Sequence, residues 1–258
     1  MTVLIIAASK SDVDVMKKAA EMLDKDGTKW KLHVCSAHRT PDMLDRIMGE
    51  IDDSCDAIIA GAGLAAALPG VVAAKTTIPV IGVPLAGAFD GLDALLSIIQ
   101  MPPGIPVITT GVNGIEEAAA TVVKIATNKM KRVNITSIKN KNKKAIEKAT
   151  EALKELRIEY SCTEKIVETA INLCFIGINE TTTPKNADAI VIYCPTAEKE
   201  TAADALKLLQ LTKKGAWVGL NRGENAAVAA AEILKKTKEL TEYRWKMRIQ
   251  VEEADKRC

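Results

Sequence analysis

An α/β fold, a parallel sheet with helices on both faces, is predicted by three observations: apolar runs of strand length, helical periodicity between them, and a pattern that restarts half-way along the chain. The first strand, Val3-Leu4-Ile5-Ile6-Ala7, has no polar residue, as a strand buried on both faces requires. Val13, Met16, Ala19, Ala20 and Leu23 follow at helical spacing, and Gly27 ends that helix before a second strand over 31–35. Strands over 56–60, 79–83 and 106–109 leave room for crossover helices, and an alanine-rich helix covers 115–126. Such a three-layer arrangement binds ligands beyond the carboxyl ends of its strands.

From Lys129 the pattern begins again. Thr150-Glu151-Ala152-Leu153 repeats Ala20-Glu21-Met22-Leu23 at an offset of 130, whereas Pro195 follows Pro84 by 111 and Gln210 follows Gln100 by 110. Arg222-Gly223 with the helix over 225–234 answers Gly114 and its alanine-rich helix. Two units are therefore expected, 1–128 and 129–258, the second a degenerate copy shortened by about 20 residues between its first helix and fourth strand. The charged tail 238–258, with Leu240, Tyr243, Trp245, Ile249 and Val251, reads as a helix packed on a neighbour, either a plain surface helix or one that reaches another subunit.

The composition excludes several classes. Of 258 residues, 35 are basic and 33 acidic, interleaved along helical stretches, which points away from nucleic acid. No run reaches the ~20 apolar residues of a membrane span, and the chain opens on a strand without a basic leader, so a cytoplasmic protein is expected. The six cysteines form no CxxC pair and no metal-binding spacing; free thiols serving mostly as small buried hydrophobes are expected, with no metal and no cofactor.

Four strings carry candidate chemistry. Ser9-Lys10-Ser11-Asp12 stands where the first strand turns into the first helix, a natural place for an anion such as phosphate, although Ser11 or Asp12 could equally cap the helix. Ser36-Ala37-His38-Arg39-Thr40-Pro41 follows the second strand: Arg39 can grip a phosphate with two parallel hydrogen bonds, and a histidine, titrating near 6.5, suits proton transfer at neutrality. His33, inside a strand pattern, reads as structural.

After the third strand, Gly61-Ala62-Gly63-Leu64-Ala65-Ala66-Ala67-Leu68-Pro69-Gly70 contains a GxGxxA string. It is not a dinucleotide fingerprint, because it follows the wrong strand and no acid stands about 20 residues on. Its small residues Gly61, Ala62 and Gly63, with Leu68 beyond them, are the expected contacts for a flat ligand. Gln100-Met101-Pro102-Pro103-Gly104-Ile105-Pro106 reads as a stiff loop without ligand contact.

Taken in order, SKSD, SAHRTP, AGAG with LPG, PVIGVP and QMPPGIPV resemble the carboxyaminoimidazole ribonucleotide mutase and aminoimidazole ribonucleotide carboxylase family over about residues 1–127. The resemblance implies a flavodoxin-like sheet in a purine-biosynthesis enzyme. Its substrate would be a small ribonucleotide held by Ser9, Asp12 and Arg39, with Ser11 and Ser36 nearby, and His38 would be the general acid and base. It further implies rearrangement of an N-carboxylate to a carbon-bound carboxylate, with carbon dioxide as an enclosed intermediate, and a homo-oligomer. Leu64 and Ala67 depart from the mutase pattern, where glycine and histidine stand, and the second half keeps neither SAHRTP nor the glycine loop. Direct carboxylation by carbon dioxide is the alternative chemistry, and a non-catalytic nucleotide-binding relative is the rival from another class.

Overall fold

The structure, a computed structural model, describes residues 2–52, 54–138, 142–181, 183–184 and 188–258. In the first half, β1 (Thr2–Ala7), α1 (Val13–Lys25), β2 (Lys29–Val34), α2 (Pro41–Gly49) and β3 (Cys55–Ala62) lead to α3 (Leu68–Ala74), β4 (Val80–Pro84), α4 (Leu92–Ile99), β5 (Ile108–Thr109) and α5 (Ile115–Ala126). In the second, β6 (Val133–Ile138), α6 (Lys143–Glu155), β7 (Tyr160–Cys162), β8 (Ile171–Gly177) and β9 (Val191–Thr196) precede α7 (Ala202–Leu211), β10 (Ala216–Trp217), α8 (Gly223–Ile233) and α9 (Thr237–Asp255).

Among the described residues, the ten strands form one sheet in the order β2-β1-β3-β4-β5-β10-β9-β8-β6-β7. The first five take the flavodoxin-like order 2-1-3-4-5. The last five follow the same order from the other end, with α1 and α6 130 positions apart at both termini. One pairing departs from the expected parallel sheet: Thr109 of β5 meets Trp217 of β10 antiparallel. Each half would otherwise expose its fifth strand as an edge, and joining the two edges covers both.

Local details recur between the halves. Asn113 and Asn221 are both left-handed, with φ 57° and 59°. Their amides donate to Pro84 O and Pro195 O, and their Oδ1 atoms accept from the amides of Ala86 and Ala197. No counterpart of α2 stands between β7 and β8, which residues 163–170 join directly.

One apolar layer runs unbroken beneath α1, α5, α6 and α8, from Val3 and Met16 through Ile115 to Phe175 and Ala229. The other face of the first half is covered by α2, α3 and α4 through Leu44, Leu68 and Ile98. Among the cysteines, Cys35, Cys174 and Cys194 are buried free thiols, but Cys162, on the short edge strand β7, and Cys258, past α9, are exposed. Leu240 anchors α9 in the core, while Trp245 and Val251 are exposed.

Arg244 of α9 ties three elements together. It pairs with Glu232 of α8 at 2.6 Å and donates to the carbonyls of Ala73 and Thr76 at the end of α3. Glu232 is 2% exposed, and burial pushes its carboxyl up to about 8 against the pull of Arg244. A folded-state value above the unfolded one gives stability that is complete below about pH 4.5 and is lost as pH rises through about 8. Glu232→Gln should therefore flatten the decline in urea midpoint between pH 4.5 and 8, a contribution on the order of a few kcal/mol.

Candidate active site

Three loops leave the sheet side by side. Ala7 at the end of β1 is in register with Val34 of β2 and Gly61 of β3, and the pairing continues as Ala8 N donates to Gly61 O at 3.0 Å and Cys35 N to Ala7 O at 2.9 Å. The ends of β2 and β3, two inter-strand spacings apart, are thus separated by about 10 Å, a gap that a ribonucleotide can bridge.

The loop after β1 is a single 3-10 turn, Lys10–Asp12. Ser9 Oγ lies 2.6 Å from Ser11 Oγ and donates to Asp12 Oδ2 at 2.7 Å. Neither Ser11 nor Asp12 caps α1 through its side chain, so the capping role is not the one these residues perform. They instead form a hydroxyl and carboxylate cluster at the positive end of that helix.

The loop after β2 is locked from within. Thr40 Oγ1 accepts from Ser36 N at 3.0 Å and donates to Ser36 O at 3.2 Å, while Ser36 Oγ accepts from Arg39 N at 3.2 Å. Pro41 starts α2 with a preset φ. These bonds hold the turn, with His38 and Arg39 exposed in it. Neither side chain has a hydrogen bond or ion pair among the described residues. Ser36, expected at the substrate, is already engaged in the turn.

The loop after β3 differs from expectation in how its small residues are used. A Cβ on Gly61 would stand 2.3 Å from Met16 Sδ, so glycine there lets α1 lie on β3. Ala62 is buried in the core, and Leu68, 2% exposed at the start of α3, packs there too. The structure places these three inside, leaving half-buried Gly63, then Leu64 and Ala65, to face outward. The sequence motifs do not include the loop after β4, where Leu85 N continues the pairing to Ala62 O at 2.9 Å and Phe89 stands exposed; the glycines flanking Ala88-Phe89-Asp90 are its only signal.

The proline-rich loop lies at the opposite end of the sheet. Gln100 Oε1 accepts from Leu220 N at 2.9 Å, and Asn225 receives Gly104 N at 2.7 Å while donating to Met101 O and Pro102 O. It is a joint between the halves. Among the described residues, no three His, Cys, Asp or Glu side chains stand close enough to hold a metal ion. No helix among them is long and apolar enough to cross a membrane.

The strand order and the polar rim define the class: a flavodoxin-like α/β protein whose first strands end, at their carboxyl side, in polar loops where such sheets bind ligands. Residues 2–148 match the AIR carboxylase family, and the chain belongs to it. It is 43% identical over 156 residues to the N5-carboxyaminoimidazole ribonucleotide mutase of Methanocaldococcus jannaschii, covering 60% of this chain and 98% of that one. The protein of the same name from Pyrococcus abyssi is 48% identical over 142 residues, 54% of this chain and 79% of that one. The chloroplastic phosphoribosylaminoimidazole carboxylase of Vigna aconitifolia is 47% identical over 122 residues, 46% of this chain and 22% of that one.

Proposed function

We propose that the protein rearranges N-carboxyaminoimidazole ribonucleotide into the 4-carboxy isomer in purine biosynthesis, in the cytoplasm, with His38 as general acid and base. The observation that carries this reading is the locked turn after β2, which presents an imidazole and a guanidinium without hydrogen bond or ion pair among the described residues, on the strand paired with the one that ends in the Ser9, Ser11 and Asp12 cluster. Arg39 and that cluster hold the ribose phosphate end of the substrate. Breaking the N–C bond takes up one proton at nitrogen and frees carbon dioxide. Forming the C–C bond releases one proton from the ring carbon. An imidazole that gives the first and takes the second ends in its starting state.

The second half, 129–258, is read as a degenerate copy that supports the first and has no reaction of its own, and the tandem chain as the unit of a homo-oligomer. The test is direct: mix the protein with N-carboxyaminoimidazole ribonucleotide, follow the carbon-carboxylated product, and run aminoimidazole ribonucleotide with bicarbonate in parallel. Faster product in the first mixture supports the rearrangement. Faster product in the second replaces it with direct carboxylation, and buffer-level rates in both leave a binding protein.

A further inference from the structure

The rim beside His38 carries two exposed apolar side chains that neither proton transfer nor the phosphate grip uses. Leu64, just past β3, is 62% exposed with φ 56°, and Phe89, past β4, is 78% exposed with φ 51°. Left-handed backbone is unfavourable for a side chain branched or bulky beyond Cβ, and exposed large apolar groups gain nothing from water. Both costs fall on neighbouring loops. A Cβ on Gly87 would stand 3.6 Å from Leu64 Cδ2, so the Leu64 side chain leans toward the loop that bears Phe89.

That loop is held in place. Asn113 Oδ1 accepts from Ala86 N at 3.0 Å, and Asn113 N donates to Pro84 O at 2.7 Å. The second half supplies an internal comparison on the same scaffold. Asn221 holds Ala197 by the same bond at 3.0 Å, yet the residue five past Pro195, matching Phe89 five past Pro84, is Glu200, whose Oε1 accepts from Asn221 Nδ2 at 3.2 Å. The half without the histidine turn is polar at this place; the half with it is aromatic.

We propose that Leu64 and Phe89 form an apolar clamp that closes on the flat heterocycle of the bound ribonucleotide and keeps freed carbon dioxide from water. This rests on the rearrangement proposed above. An apolar wall suits both occupants, since the ring presents a face to Phe89 and carbon dioxide is uncharged until it is captured. Leu64 and Phe89 act by packing and carry no proton.

The experiment uses the full chain and N-carboxyaminoimidazole ribonucleotide labelled with carbon-13 in its carboxylate, in unlabelled bicarbonate buffer. Label retained in the product is measured for the wild type, Leu64→Gly, Phe89→Ser and Phe89→Leu, with thermal midpoints and light scattering alongside. The wild type should retain most of the label. Leu64→Gly and Phe89→Ser should fold with unchanged or higher midpoints, lose label to the pool and fall about tenfold in kcat/KM, while Phe89→Leu restores much of both. Folded variants that retain label and rate like the wild type would overturn the clamp and leave the rearrangement standing. A change of particle size with retention intact would also overturn it, assigning the two residues to a subunit contact. A wild type that makes no labelled product at all removes the rearrangement itself, and the clamp with it.

Discussion

Replacing His38 with asparagine should lower kcat by about 10²- to 10⁴-fold, the usual contribution of a positioned proton carrier, with little change in KM. Asparagine keeps a hydrogen-bonding group of similar reach but cannot exchange a proton near neutrality. The fold should not notice the change, because His38 is exposed and has no hydrogen bond or ion pair among the described residues, while Ser36 and Thr40 hold its turn. A thermal midpoint equal to the wild type, together with the loss of turnover, separates chemistry from folding. If turnover of the asparagine variant stayed within a few-fold of the wild type, proton transfer would have to be assigned elsewhere. The natural contrast is Arg39, proposed above to hold the phosphate end, whose loss should appear in KM.

The parts of this molecule that depend on local pattern are legible in the order of its amino acids. The apolar run at 3–7, the helical spacing of Met16, Ala19, Ala20 and Leu23, and the His38-Arg39 pair after the second strand each follow from neighbours in sequence. What cannot be read there depends on partners far along the chain. Glycine at 61 looks like room for a ligand, yet the space is filled by Met16, some 45 positions earlier. The proline-rich loop reads as a stiff connection without ligand contact, and nothing near it in sequence shows that its polar partners are Asn225 and the amide of Leu220, more than 100 positions on. Two-residue β5 gives no sign that its free side will meet β10 in the opposite direction, because that choice is made by the edges left over when both halves have formed. Phe89 escapes notice for a different reason: periodicity rewards buried apolar residues and has no category for an exposed one held in a left-handed turn.

The largest structural effect is expected at Gly223, the first residue of α8. A Cβ there would fall 1.7 Å from Ala145 O and 2.7 Å from its carbonyl carbon, and both are backbone atoms of α6, which cannot rotate aside as a side chain can. Gly223→Ala must push α6 and α8 apart, and every residue of α8 is buried, so the displacement opens the packing along its whole length. The cost should be about 3 kcal/mol or more, at or beyond the upper end of ordinary overpacking. Gly49→Ala is the matched control: nothing lies within 4 Å of its added Cβ and its φ is not left-handed, so stability should stay the same or rise by up to about 1 kcal/mol. Because the apolar layer beneath α8 continues without a break under α1 and α5, the damage should not stay in the half that lacks the histidine turn. Heat or urea should unfold Gly223→Ala in one transition, and activity should disappear at the same midpoint as the fold. An active, folded first half surviving above that midpoint would show that the two halves share a sheet without sharing stability, and that the second is an appendage and not a support.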